Sequence, residues 1–201
     1  MKAIIFDIDG TLIDSMSVDT ELYVSSITEV LGPVTIRKLS DYEHVTDSGI
    51  LAQVLDDNGY SDNFEVATSV KAVFLESLRR HIRTVGSFPI IDGAVNFVES
   101  TRESDDNCVA IATGCWRESA LLKLESAGFS IDGIPLVTSD DSPSRVEIMQ
   151  LALNQTSDDV GSVTYFGDAE WDQRACQELG WNFVAVGADL GGIDSYVNLE
   201  L

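Results

Sequence analysis

Apolar residues in this chain follow two rhythms. Short runs at residues 2–6 (KAIIF), 108–112 (CVAIA), 162–166 (SVTYF) and 182–186 (NFVAV) lack the alternation of a half-exposed sheet and predict strands buried on both faces. A weaker run, IPLV, spans 134–137. Between these runs the spacing turns helical. Residues 92–103 follow Asp92-Gly93, and residues 116–127 carry Ala120, Leu121, Leu124 and Ala127 before stopping at Gly128. Residues 143–154 follow Ser142-Pro143, read as a cap and first helical position, and residues 171–179 end at Gly180. Strand and helix thus alternate, which predicts an α/β fold with a parallel sheet and right-handed crossovers.

Residues 14–88 break the alternation. Val18, Leu22, Ile27, Val30 and Leu31 share a face over 17–31, which ends at Gly32-Pro33. Ala67, Val70, Phe74, Leu78 and Ile82 do the same over 64–83, and a shorter helix is expected at 48–57, capped by Thr46 and Asp47. A helical subdomain is therefore expected between the first strand and the rest, with linkers near Leu12–Ser17 and Val85–Asp92.

Composition narrows the setting. The 201 residues, 44% of them hydrophobic, suffice for a packed domain with a modest insert. No uncharged apolar stretch is long enough for a membrane span, and the first strand begins at once, with no signal peptide ahead of it. Cys108, Cys115 and Cys176 are odd in number and widely spaced, which reads as reduced thiols in a cytoplasmic protein. With 12 Lys plus Arg against 34 Asp plus Glu, the formal net charge is −22. Such a field opposes nucleic acid and anionic membranes, and any anionic substrate needs a local positive centre.

The chemistry gathers at strand ends. The first strand runs from buried apolar residues into Asp7 and Asp9, two carboxylates on one side of an extended chain, then Gly10 and Thr11. Asp-Gly is common turn chemistry, which accounts for Asp9-Gly10 but not for Asp7. The 108–112 strand ends in Thr113-Gly114, and the 162–166 strand in Gly167-Asp168 with Asp172 following. Parallel strands bring these endings to the carboxyl edge, where open α/β sheets bind ligands. Clustered carboxylates need a divalent cation or a shared proton, and oxygen ligands at this density suit Mg²⁺, which in turn suits phosphate. Thr113-Gly114 ahead of a helix reads as a small phosphate cradle. Arg145, in the first turn of a helix where the dipole disfavours a cation, either faces an anion at the sheet edge or is simply solvated.

The motifs DIDGT at 7–11, IATG ending at Gly114 and GDAEWD at 167–172 resemble those of the haloacid dehalogenase-like hydrolase superfamily, in order and over nearly the whole chain. The insert resembles the helical cap of its phosphoglycolate phosphatase and β-phosphoglucomutase branch. The resemblance implies a Rossmann-like core at 1–13 and 89–201 and a cap at 14–88. It implies a Mg²⁺-dependent phosphatase acting on a small phosphorylated metabolite, with Asp7 as nucleophile forming an aspartyl phosphate and Asp9 as acid/base. Mg²⁺ would be held by Asp7, the Asp9 carbonyl and Asp168, with Asp172 orienting a metal-bound water or the phosphate-binding cation. Thr113, Gly114 and Arg145 would hold the phosphoryl oxygens. Where the family has a lysine in its third motif, PSRVEIMQLAL offers Arg145; Lys123 is the other candidate, though its helix position reads as surface. A β-phosphoglucomutase-like phosphomutase and a non-catalytic phosphate-binding or signalling module are the alternatives.

Neighbouring residues have plainer readings. Asp14 and Ser15 read as linker and helix cap, Trp116 as packing, and Arg117 as a candidate to reach the far end of a substrate. His44 and Thr46 would meet a substrate only if the cap closes. RRHIR at 79–83 complements a helix C-terminus or attracts anions from the cap side.

Overall fold

The computed structural model describes residues 1–61, 63–157 and 159–200. Five strands, β1 (Lys2–Phe6), β2 (Asn107–Ala112), β3 (Leu136–Val137), β4 (Ser162–Gly167) and β5 (Asn182–Ala185), form one sheet in the order β3-β2-β1-β4-β5. All the pairings are parallel. β1 is central, with Phe6 in register with Ile111 on one side and Phe166 on the other, so the residues after these positions emerge together at one edge.

Period-two alternation divides the core between the two faces. Ile4, Phe6, Val109, Ile111 and Phe166 face α4 (Ala94–Glu103) and α5 (Arg117–Ser126). Ile5, Ala110, Ala112, Val137 and Tyr165 face α6 (Arg145–Asn154) and α7 (Glu170–Leu179). With both faces covered, the strands need no polar side, which is why they read as runs. Under the β1 edge, Phe6 and Phe166 stack at 5.0 Å between ring centroids, flanked by Phe97 and Tyr196. The Tyr196 hydroxyl donates to the Thr11 carbonyl at 3.1 Å, tying the C-terminal segment to the loop that follows β1.

Between β1 and α4 lie α1 (Met16–Leu31), a 3₁₀ turn at Leu39–Asp41, α2 (Asp47–Asp57) and α3 (Phe64–Thr84). Thr46 caps α2, its Oγ1 accepting from Gly49 N at 3.1 Å. The two connections into this helical segment run beside one another: Asp14 N donates to Pro89 O at 2.8 Å and Ile91 N to Leu12 O at 3.0 Å.

One cap differs from expectation. α6 is capped by Ser144, whose side chain accepts from Glu147 N, not by Ser142. The Ser142 hydroxyl instead accepts from Ser144 N at 3.0 Å and donates to Glu147 Oε2 at 2.6 Å, so Ser142-Pro143 forms the turn before the helix.

Candidate active site

Asp7 follows β1, and its N–H donates to Phe166 O at 2.9 Å, continuing the ladder one residue past the strand. The chain then turns: Gly10 N reaches Ile13 O at 2.8 Å, and Gly10 has φ +71°. A Cβ at Gly10 would run into the Asp168 carboxylate, so glycine here serves both the left-handed backbone and the close approach of two motifs. Asp7, Asp168 and Asp172 converge, each offering an oxygen within 4.8 Å of the others. Asp7 and Asp172 are buried, and Asp168 is partly so.

Arg145 is not solvated. Its side chain is 10% exposed and lies on this cluster, Nη1 at 3.2 Å from Asp7 Oδ2 and Nε at 3.4 Å from Asp172 Oδ1. The second contact is close enough for attraction but not aligned as a hydrogen bond, and Nε and Asp172 Oδ1 are both without one, as is Asp7 Oδ1. Nη2 donates to Val45 O at 3.3 Å. Gly114 makes room for this arginine, since a Cβ there would stand 2.6 Å from Nη2.

Asp9 turns the other way. Lys123 Nζ lies 2.7 Å from both its oxygens and 2.8 Å from Asp19 Oδ1. Ser15 Oγ donates to Oδ1, and Cys115 Sγ to Oδ2 at 2.6 Å. Lys123 is fully buried, so the expectation of a surface lysine is wrong. Its burial rests on ion pairs with Asp9 and Asp19, which helical periodicity cannot reveal. Lys123 pairs with Asp9, whereas Arg145 pairs with Asp7. Ser15 is also more than a cap; its side chain makes no capping bond to α1 and serves Asp9 instead. Arg117 points away from the site, to Leu136 O and Asp141, so it does not reach a substrate there.

Charge balance sets the acidities. Burial raises the Asp7 carboxyl; Arg145 opposes this and Asp9 adds to it. Burial, with the charges of Asp7 and Asp172, pushes Asp168 up to about 8. Asp172 rises to about 7, again by burial, with Arg145 opposing and Asp7 adding. For Asp9 burial also pushes upward, but the Lys123 charge and the bonds from Cys115, Lys123 and Ser15 outweigh it, and the carboxyl falls below its usual value. The Cys115 thiol, buried beside Asp9, is pushed well up, which keeps it protonated and a poor nucleophile.

Helix α2 closes over this edge. Asp47 N donates to Gly114 O and Trp116 N to Asp47 Oδ2, both at 2.8 Å, and Thr46 Oγ1 donates to Pro143 O at 2.8 Å. Trp116 packs against Tyr23 and Phe74 and donates from Nε1 to Ser48 Oγ at 2.9 Å. The cavity here, about 70 Å³, is lined by Asp7, Asp9, Thr113, Gly114, Arg145 and Asp168 from the sheet edge and by Asp19, Tyr23, Thr46 and Asp47 from the helical segment. His44 does not line it.

The sequence model of the family described as haloacid dehalogenase-like hydrolase matches residues 4–186. The chain belongs to this family. Among solved structures, the haloacid dehalogenase-like fold recurs in a hydrolase from Pseudomonas syringae at 21% identity and TM-score 0.73, covering 92% of this chain and 84% of that one. CbbY from Rhodobacter sphaeroides in complex with xylulose-(1,5)bisphosphate is similar at 14% identity and TM-score 0.70, covering 98% and 89%. β-Phosphoglucomutase from Clostridium difficile is similar at 16% identity and TM-score 0.67, covering 92% and 84%. Among curated proteins none matches significantly.

The family's hydrolases generally use a divalent metal, and the residues here fit one. Asp7, Asp168 and Asp172 supply hard oxygen donors, and Asp7 Oδ1 and Asp172 Oδ1 are buried without a hydrogen bond.

Proposed function

We propose that this protein is a Mg²⁺-dependent phosphatase hydrolysing a small phosphorylated metabolite, with residues 14–88 acting as a cap on a core of 1–13 and 89–201. The observation that carries this reading is the buried pair at the β1 edge: Asp7, with one oxygen on Arg145 and the other unbonded, and Asp9, turned toward Lys123. Two carboxylates two residues apart in opposite environments suit two different tasks.

In this mechanism Asp7 attacks the phosphorus, an aspartyl phosphate forms, and the bond to the leaving alcohol breaks. Asp9 gives its proton to the departing oxygen, then takes one from the water that splits the aspartyl phosphate, releasing inorganic phosphate and restoring Asp7. Lys123 favours ionised Asp9, so proton donation is the more demanding half of this cycle. Arg145, Thr113 and the Gly114 backbone hold the phosphoryl oxygens. Asp7, Asp168 and the Asp9 carbonyl would hold Mg²⁺, with Asp172 orienting its water or Arg145. The metal supplies charge neutralisation on the phosphoryl oxygens. The hydrogen bonds that tie α2 to this edge support the cap reading, and the free thiols accord with a cytoplasmic setting.

Phosphate release from a panel of phosphomonoesters with Mg²⁺ tests the reading. Asp7→Asn should fold normally and lose roughly three orders of magnitude in turnover or more, the scale of losing a nucleophile. Near wild-type release from that variant would sink it. A phosphomutase uses the same core and is supported by the likeness to β-phosphoglucomutase; an isomeric sugar phosphate in place of inorganic phosphate would identify it.

A further inference from the structure

The helical segment puts two carboxylates on the wall of the cavity. Asp19 and Asp47 line it, and each has one oxygen engaged, Asp19 Oδ1 by Lys123 at 2.8 Å and Asp47 Oδ2 by Trp116 N at 2.8 Å. Their other oxygens accept no hydrogen bond among the described residues. Arg145 is the one cationic side chain among the described lining residues, and it is already committed to Asp7 and Asp172. Lys123 lies behind Asp9 and Asp19 with no exposure. Asp7 Oδ1 lies buried and unbonded in the same cavity. The cavity, about 70 Å³, stands partly open to solvent.

A second anionic group on the substrate would therefore find no cation. If Asp19 and Asp47 are ionised they repel it; if protonated they offer a hydrogen bond but no charge. An ammonium group, by contrast, would meet two carboxylates with free acceptors. We propose that Asp19 and Asp47 select the leaving group, and that the substrate is a phosphate monoester of a small amino alcohol, with no second phosphate or carboxylate. The proposal rests on the phosphatase reading and goes beyond it. It also disfavours the mutase alternative, because a mutase must hold a bisphosphorylated intermediate and hence a second anion.

The test compares two esters of nearly the same length with Mg²⁺ present: phosphoethanolamine, which ends in an ammonium group, and phosphoglycolate, which ends in a carboxylate. The expected kcat/KM favours phosphoethanolamine by about tenfold or more, the scale of one desolvated charge contact, with glycerol 1-phosphate between them. Asp47→Asn keeps an acceptor for Trp116 N and removes the charge, so it should narrow the preference several-fold, mainly through KM. Should that variant not fold, the wild-type ranking and Asp19→Asn decide. Equal or better turnover of phosphoglycolate overturns the proposal while leaving the phosphatase reading intact. Release of phosphate from none of these or any other monoester overturns that reading, and this proposal with it.

Discussion

At the scale of single residues, two buried cations carry the site, and they respond differently to loss. Lys123 holds Asp9 and Asp19 together with no exposure of its own. Lys123→Met leaves two buried carboxylates facing each other, and breaking such a group costs about 3–5 kcal/mol. Denaturant unfolding should show a loss of that order, and a further change of Asp19→Asn should recover part of it. Loss of less than 1 kcal/mol, as for an exposed pair such as Arg83–Glu76, would mean the buried triad is not formed. Arg145→Met also leaves two buried carboxylates, Asp7 and Asp172, without their cation, and it should in addition cost catalysis. A charged hydrogen bond to phosphate is worth about 1.5–3 kcal/mol, so kcat/KM should fall by about one to two orders of magnitude. Arg145→Lys should recover part, since an ammonium can replace the charge but not the fork. Wild-type kinetics from Arg145→Met would remove it from the phosphate site. Arg145 could be singled out in the sequence because a cation at a helix N-terminus is out of place. Lys123 could not, because a lysine near a helix C-terminus is ordinary and its burial depends on carboxylates that are distant in the chain.

At the scale of elements, runs and periodicities gave the strands and helices to within a few residues, because strands covered on both faces are apolar throughout and amphipathic helices keep a stripe. What escaped were ends decided by side-chain competition, such as Ser142 against Ser144 at α6, and the short Leu39–Asp41 turn, which has no periodicity to read. The cap of α2 has a second duty that sequence does not display: Thr46 Oγ1 both accepts from Gly49 N and donates to Pro143 O at 2.8 Å across to the α6 turn. The cap of α3, Asn63, accepts from Val66 N and sits exposed. Asn63→Ala should cost about 1 kcal/mol, the usual price of a lost cap. Thr46→Ala should cost more, because it also leaves a partly buried carbonyl unpaired. Equal losses in the two variants would show that the contact between α2 and the α6 turn adds no stability.

At the scale of the molecule, acid groups crowded without enough positive charge link stability to pH. A carboxyl raised on folding favours the folded state fully below its unfolded value, and that contribution is lost as pH rises through the folded value. Asp19 at about 6, Asp172 at about 7 and Asp168 at about 8 all act in this direction. Asp9, Asp141 and Glu76, which are lowered, are ionised in both states above about pH 5 and drop out there. Metal-free protein should therefore lose Tm steadily from pH 5 to 8, and Mg²⁺ should flatten the loss by neutralising Asp7 and Asp168. A Tm that holds or rises over that range in chelator would contradict the crowding. The strand order has a consequence in time as well. β1 leaves the ribosome before every other strand, yet its two neighbours start at Asn107 and Ser162. At about 5–20 residues per second, the nascent chain carries Asp7 for roughly ten seconds or more before β4 can seat beside it. α1 to α3 are complete well within that interval, so during translation the helical segment can gather while the edge that carries Asp7 still waits for β4.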